Sequence, residues 1–173
     1  MRLAQGWDTG PVFRQRTTSI AADDDAGSLT DKLAALGAEL LVEVVNLRVR
    51  GMITPKPQDE SKASYAPKLR KQDGLIDWAK PAQQLARDVR GYSPWPGAFT
   101  AWNGKTLKVL AARAVGLYAE AESQPLGTVL SGLAVITSDG LLQLERVQLE
   151  GRKAMDARDF LVGQPQIVGA RLG

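Results

Sequence analysis

Tyr65-Ala-Pro-Lys-Leu-Arg-Lys-Gln-Asp-Gly-Leu-Ile-Asp-Trp78, followed by Pro81 and then by Val89-Arg-Gly-Tyr-Ser-Pro-Trp-Pro-Gly-Ala-Phe-Thr100, is the stretch on which the fold turns. Its middle predicts a helix at about 80–90. Pro81 suits the first turn, Ala82, Leu85, Ala86 and Val89 share one face, and Gly91 stops it. Its end predicts a hairpin, because two β-prone segments, 99–102 and 106–110, flank Asn103-Gly104, a pair that tolerates the positive φ angles of a two-residue turn.

Downstream, residues 127–131, 133–137 and 141–149 read as short strands, with Ser138-Asp139-Gly140 turning between the last two. Within 141–149, Leu142 and Leu144 share one parity while Val147 and Leu149 share the other, so the inward face shifts at Glu145-Arg146. A β-bulge accounts for the shift. Short strands, a bulge and one inserted helix predict a small closed β-barrel of the oligonucleotide-binding (OB) type over 65–173, ending in a short helix over 155–162.

Upstream, Val12 to Ile20 predicts a strand leaving the Asp8-Thr9-Gly10 loop, and Ser28 to Arg50 predicts a helix. In that helix Leu29, Leu33, Leu36, Leu40, Val44 and Leu47 recur at intervals of three and four, Ser28 with Asp31 forms a capping-box pattern, and Gly51 ends it. One strand cannot cover such a stripe. Residues 1–50 are therefore expected to be the end of an α/β domain whose sheet begins before Met1. Residues 51–64, polar and carrying Pro55 and Pro57, read as an extended linker.

Composition excludes several chemistries. With no cysteine and no histidine in 173 residues, there is no thiolate nucleophile, no disulfide and no imidazole for metal or proton transfer. No metal site is expected, and no segment is apolar enough to span a bilayer or serve as a secretory signal, so a cytoplasmic location is expected. The net charge of +3 is uneven: residues 1–64 carry 8 Lys/Arg against 9 Asp/Glu, and residues 65–173 carry 14 against 10. The basic surplus of the second part is compatible with a polyanionic partner.

The quoted run resembles the methionyl-tRNA formyltransferase family, and Gly151-Arg-Lys-Ala-Met155 and Asp159-Phe-Leu-Val-Gly163 resemble that family's C-terminal region. The stretch 111–125 carries no such likeness. By itself Asp8-Thr9-Gly10 is an ordinary turn signal. Within the family, however, a methionine is followed by Gly, an apolar residue and Asp-Thr-Gly; Met1, Gly6, Asp8, Thr9 and Gly10 match this, and Trp7 departs from the usual Leu or Met.

The resemblance implies an α+β architecture in which a remnant of a Rossmann-like formyltransferase domain (1–50) and a linker (51–64) lead into an OB-like tRNA-binding domain (65–173). It implies transfer of a formyl group from 10-formyltetrahydrofolate to the amino group of initiator methionyl-tRNA, in an enzyme that is monomeric when complete. Asp8 matches the family's catalytic aspartate, and Gly6, Trp7 and Asp8 its cofactor-binding loop. In the family that aspartate orients a histidine, and an asparagine donates to the oxyanion. Both belong to a segment expected upstream of Met1, so the chain is expected to lack the catalytic half and to be inactive alone.

The cations are the second candidate set. Lys68, Arg70 and Lys71 lie just past the linker, Arg87 and Arg90 on the predicted helix, Lys105 and Lys108 beside the hairpin turn, and Arg152 and Lys153 before the last helix. Scattered cations ordinarily form a solvated surface; the resemblance implies that these bind tRNA. Trp78 and Trp102 read as core, whereas Trp95, between Pro94 and Pro96, fits either packing or base stacking. The alternative function is a stand-alone RNA-binding module, or a remnant of a formyltransferase acting on another amine.

Overall fold

Strand β4, Leu141–Leu149, is the spine of the second of two units, Met1–Lys68 and Leu69–Gly173, in a computed structural model that describes residues 1–116 and 123–173. One edge of β4 pairs antiparallel with β2 (Lys105–Val115), which pairs in turn with β1 (Ala98–Trp102). Its other edge carries β3 (Ala134–Ile136) and β5 (Met155–Asp156), and the described strands run in the order β1-β2-β4-β3. The sheet is open among the described residues, where the sequence predicts closure. Residues 127–131 make only the isolated bridges Thr128↔Arg171 and Val129↔Val135, and Gly127 takes a left-handed φ of 82°, which interrupts a strand.

The shift of inward face is present and is shared by two strands. Between Val109↔Val147 and Ala111↔Arg146 the extra residue is Leu110 on β2; between Ala111↔Arg146 and Ala112↔Leu144 it is Glu145 on β4. Leu107, Val109, Leu149 and Val147 thus face the core on one side of the irregularity, and Ala112, Leu144 and Leu142 on the other.

Helix α2, Ala82–Gly91, buries Ala82, Leu85, Ala86 and Val89, with Pro81 at the N-cap position and the Ala82 N–H donating to Asp139 O at 2.9 Å. Helix α3, Ala157–Gly163, adds Ala157 and Phe160, whose ring meets Trp102 edge-on at 6.0 Å and 67°. Trp78 and Trp102 belong to this core, as the sequence predicts.

In the first unit, α1 spans Ala26–Val49 and begins one turn earlier in its capping than Ser28 with Asp31 predicts. Asp25 is the N-cap: its carboxylate accepts from Ser28 N at 2.7 Å, and the Ser28 hydroxyl accepts from Asp25 N at 3.1 Å. The helix has no buried residue, and an apolar groove of about 390 Å³ runs along Leu40, Leu41, Val44, Val45 and Val49, with Phe13 beside it. The strand predicted for 12–20 does not form. Among the described residues only Val12 of this segment finds a backbone partner, in Lys56, and a strand without a paired neighbour is not stable. No helix among the described residues is long and apolar enough to cross a membrane.

Candidate nucleic-acid interface

Alternation along β2 decides where the hairpin cations point. Leu107 and Val109 join α2 in the core, so Lys108 between them projects from the face that α2 does not cover. Register then assembles its surroundings. Leu75 bridges Phe99, Phe99 pairs with Lys108, and Lys108 pairs with Gln148, a lateral row spanning roughly 14 Å at the usual strand spacing. Beyond its end the Gln148 amide donates to Arg152 O at 2.9 Å, which fastens the turn carrying Arg152 and Lys153 to this face. Lys105 stands at the hairpin end beside Glu150, whose carboxylate accepts from Thr106 N at 2.9 Å. That backbone hydrogen bond, with a smaller contribution from the Lys105 charge, lowers the Glu150 pKa, so Lys105 sits next to a compensating anion.

At the β1 edge the chain enters through a tight turn, Lys71–Gly74, in which the Arg70 N–H donates to the Asp73 carboxylate at 2.7 Å. Gly74 is required there: a methyl group would overlap the Gly97 carbonyl oxygen. The turn leaves Arg70 and Lys71 exposed at the end of the row that begins with Leu75. Arg87 and Arg90 belong elsewhere. They lie on α2, which packs on the core-facing side of β2, away from Lys108; Arg87 is exposed, and Arg90 is half-buried with its guanidinium donating to Ala86 O at 3.1 Å. Lys68 is exposed and closes the first unit.

Electrostatic accounting separates these cations from their neighbours. None of the nine forms an ion pair with another described residue, whereas Arg113 pairs with Glu145 at 3.0 Å and Lys80 with Asp88 at 3.2 Å. The hydrogen bond to Asp88 raises the Lys80 pKa and keeps that charge locally neutralised. Of the nine, Lys105 stands beside the Glu150 carboxylate and the Arg90 guanidinium is engaged by a backbone carbonyl, so these two differ from the rest.

The Asp8 loop is held by a residue the sequence reading does not single out. Gln58 Nε2 donates to both Asp8 O and Gly10 O at 2.7 Å, and Lys56 exchanges two backbone hydrogen bonds with Val12 at 2.8 and 2.9 Å. No local pattern announces a contact across some fifty residues. Asp8 takes φ 52°, in the left-handed region, and both Asp8 and Trp7 are exposed, Trp7 by 97%.

Residues 68–165 match the family model described as formyl transferase, C-terminal domain. The chain belongs to that family. Its formyl transferase relatives include the methionyl-tRNA formyltransferases of Roseiflexus castenholzii, 44% identical over 96% of this chain and 53% of the relative, and of Geobacter metallireducens, 42% identical over 100% of this chain and 55% of the relative. The chain spans about half the length of the curated relatives it matches. Among solved structures, HypX from Aquifex aeolicus in complex with tetrahydrofolic acid superposes with a TM-score of 0.63 at 20% identity, over 93% of this chain and 28% of that one. A multiply substituted HypX variant gives 0.65 at 19% identity, over 96% and 30%. These two likenesses concern the fold.

Proposed function

We propose that the protein acts in formyl transfer from 10-formyltetrahydrofolate to the amino group of initiator methionyl-tRNA, with this chain supplying the domain that binds the tRNA. The observation that carries the proposal is the identity of 41–44% with methionyl-tRNA formyltransferases along nearly the whole chain. Unpaired, exposed cations on the second unit support it. A cytoplasmic location and a monomeric complete enzyme belong to the same reading.

The second unit is read as an OB-like fold. The coupled bulges of β2 and β4 support this, because they bend adjacent strands at one level, as a small barrel requires. The first unit is read as part of a Rossmann-like domain, supported by a long helix with an apolar groove and no buried side chain. Asp8 is placed in the role of orienting a histidine that deprotonates the attacking amine, with Gly6 and Trp7 beside the donor. As the amine adds to the formyl carbon, negative charge builds on the oxygen and the folate nitrogen leaves with a proton. These 173 residues contain no histidine, so the imidazole of that reading is not among them.

Lys68, Arg70 and Lys71 are assigned to tRNA phosphates, with Lys108, Arg152 and Lys153 continuing along the exposed sheet face. A salt titration of initiator tRNA binding tests this. Replacing Lys68, Arg70 and Lys71 together by Ala should weaken binding and lower the slope of log affinity against log salt by about 0.7–0.9 per lost contact. Unchanged affinity and slope would remove the three residues from the interface.

A further inference from the structure

Trp95 is a large aromatic side chain of the second unit that the core leaves out. It is 55% exposed, against 7% for Trp78 and 5% for Trp102. Its backbone is nevertheless tightly held. Pro94 and Pro96 restrict φ on both sides. The Gly97 N–H donates to Tyr92 O at 2.9 Å, and the Ser93 N–H donates to Arg90 O at 3.2 Å, so the loop is pinned to the end of α2. An exposed indole on a fixed loop loses little conformational freedom when something lies against it.

The loop's neighbour shows what would lie there. The Gly97 carbonyl packs on Gly74, the last residue of the turn that carries Lys71 and follows Arg70. Trp95 is two residues from one side of that contact and Lys71 three from the other, so their backbones lie within roughly 20 Å even if both segments were fully extended. Arg70 and Lys71 are exposed and form no ion pair with another described residue. A fixed, exposed aromatic with unpaired cations on the neighbouring turn, their backbones within roughly 20 Å, matches the chemistry of an unpaired nucleotide, with a π face for the base and positive charge for its phosphate.

We propose that Trp95 stacks on an unpaired base of the bound RNA while Arg70 and Lys71 hold phosphates of the same segment. This rests on the tRNA-binding reading above and names the part of the RNA this edge of the domain takes. Stacking displaces no counterions, so it contributes to affinity without contributing to the salt slope. The two kinds of contact are therefore separable.

The test uses the 173-residue chain, with initiator tRNA and a blunt, fully paired RNA duplex as probes. Trp95→Ala should weaken tRNA binding by about 5- to 150-fold, the range of losing one base stack. The salt slope should stay unchanged, duplex binding should not move, and Trp95→Phe should recover most of the loss. As a check independent of the Ala variant's folding, Trp7→Phe removes the other strongly exposed indole; saturating tRNA should then quench emission, and the quench should vanish in the Trp7→Phe/Trp95→Phe protein. Unaltered Trp95 emission at saturation, or equal loss of duplex and tRNA binding in Trp95→Ala, would overturn the proposal. The tRNA reading would survive that result if the Arg70→Ala/Lys71→Ala slope still fell. Absence of salt-dependent tRNA binding by the unaltered chain would sink both.

Discussion

Replacing Phe160 by Ala tests the claim that α3 belongs to the same core as the sheet. The ring is 1% exposed, lies in the main hydrophobic cluster, and meets Trp102 edge-on at 6.0 Å. Truncating a buried Phe removes its transfer free energy and leaves a partly collapsed cavity, about 3–5 kcal/mol together. For a unit of roughly 100 residues, each kcal/mol moves Tm by about 4–8 °C, so a fall of at least 12 °C is expected. Phe160→Leu keeps most of the volume and gives up the edge contact, which is worth about 0.5–1.5 kcal/mol. Urea unfolding followed by the emission of buried Trp102 measures both, and the Ala variant should lower the midpoint without changing the slope. A loss below about 1 kcal/mol for Phe160→Ala would mean that α3 lies loosely on the surface and that the Trp102 contact adds nothing.

Three further outcomes follow from other parts of the structure. Asp24 accepts hydrogen bonds from Lys32 at 2.6 Å, Ala21 N at 2.7 Å and the Ser28 hydroxyl at 2.9 Å; these, the Lys32 bond foremost, lower its pKa from 3.8 to about 2. Because the folded value is depressed, the contribution is complete above about pH 4 and disappears as pH falls through 2. An NMR titration of the Asp24 carboxyl with a midpoint near 3.8 would contradict this. The Thr100 hydroxyl is buried with no hydrogen-bond partner among the described residues, so Thr100→Val should be stabilising by up to about 1 kcal/mol in urea unfolding; destabilisation would imply a partner for the hydroxyl. Since α2 covers the side of the sheet away from Lys108, Lys108→Ala/Arg152→Ala and Arg87→Ala/Arg90→Ala should not lower the tRNA salt slope equally. The first pair should lower it by about 1.4–1.8 and the second by much less, and equal effects would indicate RNA wrapping both faces.

Periodicity carried most of what the sequence reveals. The three- and four-residue spacing in α1 and α2, Asn103-Gly104 at the hairpin and the parity change at Glu145-Arg146 all have counterparts in the structure. Features that depend on a distant partner were not legible. Val12 to Ile20 has strand composition but, among the described residues, only one with a backbone neighbour to bond. The compensating bulge at Leu110 leaves no mark, because Leu110-Ala111-Ala112 has no contrast between polar and apolar residues. In the candidate interface the cations were legible as residue types, but neither the direction of Lys108 nor the division of Arg87 and Arg90 from it was. The Gln148 amide that fastens the Arg152 turn and the Gln58 amide that spans the Asp8 loop are uncharged and unpatterned, and only three-dimensional proximity reveals them.

The matched bulges couple the lengths of two strands that are far apart in the chain. Removing Leu110 alone, or Glu145 alone, would leave one strand a residue longer than its partner across this span, with a bulge that nothing opposite compensates. Removing both would restore an unbroken ladder with the same residues inside. Insertions and deletions in this part of the domain should therefore be tolerated as compensating pairs, one in each strand, and a drifting lineage that lost one would be under pressure to lose the other.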